Sequence, residues 1–147
     1  MKQKITLKRY VKRRNGVALG ANGSLKSMFL RAFGAENFAL FWHYWNPIWS
    51  YFLAKYILQP LKRIVPKWLA MMFTFTISGA LHDLIVSLLK REYVFLLTPW
   101  FTLMAIVALC TQRFKFSKAQ YTFWVRAVVN ILYLVLSFLV TIQMLDY

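Results

Sequence analysis

Apolar residues gather into four long blocks along the chain, separated by short basic or turn-forming stretches. Trp68 to Leu89 has 15 of 22 positions hydrophobic, Tyr93 to Gln112 has 15 of 20, and Ala127 to Leu145 has 15 of 19. As helices they measure roughly 28 to 33 Å, the thickness of a bilayer's hydrocarbon core, so the pattern predicts transmembrane helices over 68–89, 93–112 and 127–145. The fourth block, Phe38 to Leu58, is as apolar but holds Asn46-Pro47 and Lys55, and Trp42, Trp45 and Trp49 crowd its first half. Tryptophan favours the headgroup level and Pro47 removes a backbone donor, so residues 38–58 read as an interfacial or re-entrant broken helix. The expected fold is an all-α integral membrane protein with three transmembrane helices plus that broken helix. A basic cytoplasmic arm over 1–33 precedes a membrane domain over 34–147.

Composition agrees. A 147-residue chain with 60% hydrophobic and 18% aromatic residues is too apolar to be disordered. A soluble domain would have to hide three fifths of its residues while displaying a net charge of +15. A bilayer protein separates the two along the chain. Basic residues number 13 before the first span, two after it, four between the second and third, and none at the end. The positive-inside rule then gives an N-in, C-out chain, whereas a full crossing over 38–58 would put nine arm charges outside. Those nine cations could in principle meet nucleic acid or an anionic membrane surface. With spans following, they read as a topogenic arm on anionic headgroups, with no nucleic-acid partner. One cysteine, Cys110, leaves no internal disulfide, and two histidines with one cysteine leave a Cys/His zinc site short of ligands, so no metal is expected.

Polar residues inside the spans are more informative. His82 and Asp83 lie some fourteen residues into the first span, roughly 21 Å along its axis, where an ionisable pair must face protein or water. Thr74, Ser78 and His82 recur at i, i+4, i+8, and Gly79, Asp83 and Ser87 do so on the adjoining stripe. Together they form a small, polar face suited to close helix packing or to lining a cavity. A structural histidine bonded to a neighbouring helix fits the same periodicity; the adjacent acid, which could raise the imidazole's basicity or orient a neighbour, favours a functional one. Thr98, Thr102, Asn130, Ser137 and Thr141 read as interhelical hydrogen-bonding groups. If residues 42–49 are helical, Asn46 sits within a wall formed by Trp42, Trp45 and Trp49. An aromatic anchor with Asn46 capping the break at Pro47 fits that spacing equally well. His43 reads as a headgroup-level bystander, so a bis-histidine haem lacks its second buried ligand.

The block Asn37-Phe38-Ala39-Leu40-Phe41-Trp42-His43-Tyr44-Trp45-Asn46-Pro47, then Gln59-Pro60-Leu61, then Phe75-Thr76-Ile77-Ser78-Gly79-Ala80-Leu81-His82-Asp83 resembles the core of the membrane-bound O-acyltransferase family. The similarity is to the branch that includes sterol, diacylglycerol and wax-ester acyltransferases. Relatives carry a Phe-Trp-x-x-Trp-Asn block, a basic Pro-Leu segment and a Ser-Gly/Ala-x-x-His-Glu/Asp block in this order, and the 36-residue step from Asn46 to His82 is similar to theirs. The resemblance covers roughly residues 34 to 90, and the last two spans only in character.

Carried over by position, it implies His82 as catalytic residue and Asn46 as its polar partner, with Asp83, Ser78, Trp42 and Trp45 supporting. It also implies transfer of an acyl group from a thioester, commonly acyl-CoA, to a hydroxyl acceptor in a membrane tunnel, without a bound cofactor. An imidazole with a pKa near ~6.5 suits the general base, and a fixed amide suits a developing oxyanion. Relatives thread about eight or more helices around the tunnel, so this chain resembles the fold's C-terminal half. Completion by oligomerisation or by a second membrane subunit is therefore expected. The rival readings are a non-catalytic half-size subunit or scaffold and, more remotely, a small pore without a selectivity ring. The compact chain favours a bacterial cytoplasmic membrane over the endoplasmic reticulum.

Overall fold

The structure, a computed structural model, describes residues 5–146. Its regular elements are helical: α1 (Leu7–Asn15), α2 (Ser24–Phe33), α3 (Phe38–Tyr44), α4 (Pro47–Leu53), a π-helical turn (Ala54–Leu58), α5 (Gln59–Leu61), α6 (Lys67–Lys90), α7 (Leu97–Arg113) and α8 (Phe123–Met144). At 24 and 22 residues, α6 and α8 are long and apolar enough to cross a bilayer. They match the helices expected over 68–89 and 127–145 to within a few residues.

The helix expected over 93–112 starts late, at Leu97, and its 17 residues reach about 25 Å. The cause lies on another helix. Asp83 of α6 collects the free N–H groups of Leu96, Leu97 and Thr98 at 3.1, 2.8 and 2.7 Å, and also the Thr98 hydroxyl. One carboxylate thus caps α7, and Pro99 follows within the first turn, where a missing N–H costs nothing.

The block over 38–58 breaks at Asn46-Pro47. Asn37 caps α3 through Leu40 N at 2.9 Å, and Asn46 caps α4 through Trp49 N at 3.2 Å. Asn46 holds the left-handed conformation, φ 38°, which asparagine tolerates better than most residues, and Pro47 supplies the helix-ready next position. Further on, Pro60 lacks the N–H that would bond the Tyr56 carbonyl, and its ring would crowd that carbonyl. The helix widens just before it, with Gln59 N–H donating to the Ala54 carbonyl across the π turn.

The basic arm is folded. Gly16, Gly20 and Gly23, at φ 77–80°, turn the chain between α1 and α2. Asn15 then fixes the pair by donating to the Ser24 carbonyl and hydroxyl. α1 rests on α4, and α2 on α3 and α8. The core lies between α2, α3 and α7, around buried Ala32, Ala35, Phe38, Phe41, Met104 and Ala108. Asn130, fully buried on α8, donates to the Phe33 and Ala35 carbonyls at 3.0 Å each and so ties α8 to the end of α2. Outward on α8, Ile131, Leu132, Val135, Leu136 and Leu139 are exposed apolar residues, as a lipid-facing surface requires.

Candidate functional site

A cavity of about 230 Å³ opens between α1, α3, α4, α6 and α7. α6 supplies Thr74, Ser78 and His82, the first of the two polar stripes, and the broken helix supplies Trp42, Trp45, Asn46 and Trp49 opposite. Of the six residues singled out from sequence, five therefore line one space: His82, Asn46, Ser78, Trp42 and Trp45. Asp83 does not. It points along the second stripe toward α7, where all its bonds are made to the α7 N-terminus.

The imidazole of His82 is fixed in orientation. Its Nδ1 lies 2.6 Å from the carbonyl oxygen of Ser78, one turn earlier on the same helix. A carbonyl can only accept, so Nδ1 carries a proton, and in the neutral form of the ring the lone pair is then on Nε2. Phe101 stacks on the ring at 5.2 Å and Trp49 meets it edge-on at 5.6 Å, which restricts its rotation. Trp49 also donates through Nε1 to Ser78 Oγ at 2.9 Å, while its backbone N–H donates to Asn46 Oδ1. A continuous chain of contacts runs from Asn46 through Trp49 and Ser78 to His82. With Asn46 Oδ1 engaged as a cap, the free valence of this carboxamide is its NH₂, a donor.

Trp42 packs against Phe75 and Phe101 at 5.3 and 5.9 Å, and its Nε1 is buried with no acceptor among the described residues. Trp45 stacks on Phe41 and closes the side toward α2. Among the lining residues not anticipated are Phe101 of α7 and, from the arm, Tyr10 and Arg14. Arg14 donates to the His43 carbonyl at 2.8 Å and lies 4.4 Å from the centre of the Tyr10 ring. Leu7, Tyr10, Val11 and Arg14 at i, i+3, i+4, i+7 form the one helical face that could have signalled it. His43, read as a bystander, lines this same end, and desolvation together with the Arg14 charge holds its pKa below the usual histidine value. Cys110 is exposed on α7, and among the described residues no group of three His, Cys, Asp or Glu could hold a metal ion.

An oriented imidazole, a carboxamide donor and an aromatic wall form an arrangement suited to proton abstraction from a hydroxyl group beside an acyl carbonyl. Comparisons with curated proteins and with solved structures give no match. The family model for MBOAT, the membrane-bound O-acyltransferase family, matches residues 15–144, far beyond the 34–90 core whose motifs carry the resemblance. The chain, with its two bilayer-length apolar helices, is an integral membrane protein that belongs to the membrane-bound O-acyltransferase family.

Proposed function

We propose that the protein transfers an acyl group from a thioester donor of the acyl-CoA type to a hydroxyl acceptor, with His82 as general base and Asn46 as oxyanion donor. The observation that carries this reading is the 2.6 Å contact between His82 Nδ1 and the Ser78 carbonyl, which in the neutral imidazole puts the proton on Nδ1 and the lone pair on Nε2, on a residue that lines the same cavity as Asn46. Nε2 takes the acceptor's hydroxyl proton as its oxygen attacks the thioester carbonyl. The tetrahedral oxyanion is met by the Asn46 NH₂. The carbon–sulfur bond then breaks and the thiolate leaves, receiving the proton back from His82. No covalent acyl-enzyme and no bound cofactor is needed. Ser78 fixes the tautomer, and Trp42 and Trp45 wall the space; Asp83 acts at one remove, by seating α7 and with it Phe101 against the imidazole.

In this reading α6, α7 and α8 all cross the membrane, residues 38–58 lie at the interface or re-enter it, and the arm over 1–33 is cytoplasmic. The support is the alternation of basic residues along the chain. The favoured location is a bacterial cytoplasmic membrane. Arg14 then stands at the cytoplasmic end of the cavity. The membrane domain over 34–147 exposes much apolar surface, and its cavity is small for a long acyl chain. A second copy or another membrane subunit is therefore proposed to complete the tunnel. The same observations favour one alternative, a non-catalytic subunit that completes a partner.

The test is turnover of the purified protein, with its membrane partners retained, on an acyl thioester and a panel of alcohols. His82→Ala should lower acyl transfer by about 100-fold or more while leaving the helical content intact. Equal turnover in the variant removes the catalytic role, and loss of assembly without loss of turnover selects the alternative.

A further inference from the structure

Lys118, in the loop between α7 and α8, is drawn into the fold: its backbone N–H donates to the Glu36 carbonyl at 2.9 Å. Its ammonium donates to Asn130 Oδ1 at 2.9 Å and lies 5.3 Å from the centre of the Tyr133 ring. One helical turn before Asn130 stands Arg126, on the same side of α8. Its Nε is buried and meets no acceptor among the described residues. Burial, with the Arg126 charge added, pushes the Lys118 amine down to about 8, and among the described residues no carboxylate offsets it. The first turn of α8 holds no acid either.

Two cations brought together and partly desolvated without a counter-ion form an unstable arrangement, unless an anion completes it. The free donors are those of an ammonium and a guanidinium fork, a set that matches the oxygens of a phosphate group. Two exposed aromatic residues lie at the same level of the chain, Tyr121 in the loop at 50% and Trp124 in the first turn of α8 at 76% accessible. Such residues prefer the level of the lipid headgroups. Neither cation lines the His82 cavity.

We propose that Lys118 and Arg126 form a seat for a phosphate group, supplied by an anionic phospholipid whose headgroup docks between the α7–α8 loop and the start of α8. The seat is separate from the acyl-transfer cavity and does not depend on the chain being catalytic.

The experiment uses the full chain in nanodiscs, with spin-labelled phosphatidylglycerol or phosphatidylcholine as probe and inorganic phosphate as competitor. Phosphatidylglycerol should be retained about tenfold more than phosphatidylcholine, and the Lys118 amine, followed by ¹³C-methyl NMR, should titrate above about 8 in its presence. The double variant Lys118→Gln, Arg126→Gln should bring the retention ratio to about one, while Arg113→Gln, an exposed cation at the end of α7, leaves it unchanged. Displacement of the lipid by millimolar phosphate supports the seat and shows that it accepts the free anion as well. Persistence of the lipid supports the headgroup as its dedicated occupant. Equal retention of both lipids by the unsubstituted chain, with no upward shift of the amine by either anion, overturns the proposal, and that comparison needs no variant to fold.

Discussion

The two polar stripes of α6 are built from similar residues at identical spacing and meet opposite fates. Gly79, Asp83 and Ser87 are fully engaged with α7. A Cβ on Gly79 would come within 2.6 Å of the Leu97 carbonyl oxygen. Asp83 caps the helix start, and Ser87 Oγ accepts from Val94 N at 2.9 Å. Thr74, Ser78 and His82, rotated by about 100° per residue from that seam, border empty space, and the imidazole keeps a free nitrogen. A polar group inside a membrane helix is thus not a site by virtue of its type. A site is marked by valences left open after the neighbouring helices have been satisfied.

Substitutions on the two stripes should separate activity from stability. The largest effect is expected from His82→Ala, about 100-fold or more in turnover with little change in thermal unfolding in detergent. Asp83→Ala should do the reverse, costing about 3 kcal/mol because several part-buried N–H groups lose their acceptor, with the specific activity of the folded fraction falling far less than in His82→Ala. If Asp83→Ala abolished turnover without loss of stability, the division between the stripes would fail. Gly79→Ala should cost about 1 to 3 kcal/mol, since it forces α6 and α7 apart. Trp49→Phe crosses the boundary: it deletes the bond to Ser78 Oγ and should lower both stability by about 1 kcal/mol and turnover by about fivefold.

The smallest effect sharpens the same contrast away from α6. The Lys118 amine, at about 8 in the folded chain against 10.5 for a free lysine, binds fewer protons than the unfolded state between those values. Stability should therefore rise as pH increases from about 8 to 10.5, and Lys118→Gln should flatten that rise.

Much of this was legible beforehand, for physical reasons that can be named. The helices of α6 and α8 follow from apolar length alone, and the break at Asn46-Pro47 from a residue that tolerates positive φ followed by one that fixes the next turn. The union of His82 with Asn46 was carried by motif resemblance, since no local pattern tells which helices share a cavity. The start of α7 was not legible, because its cap, Asp83, belongs to another helix. Nor was the arm's return to the site, because Arg14 reads as one charge in a run until its bond to the His43 carbonyl is seen. The π turn escaped as well, although Pro60 was its cue.

The contact at Gly79 has a mechanical side. Where α6 and α7 meet with backbone against backbone, no side chain remains to act as a cushion, and the two helices move as a single stiff plate. Across the cavity, α3 is tied to α7 through the shared core, and α4 reaches α6 through Trp49, which meets His82 edge-on and donates to Ser78 Oγ. The imidazole rides on that paired backbone and so keeps its aim.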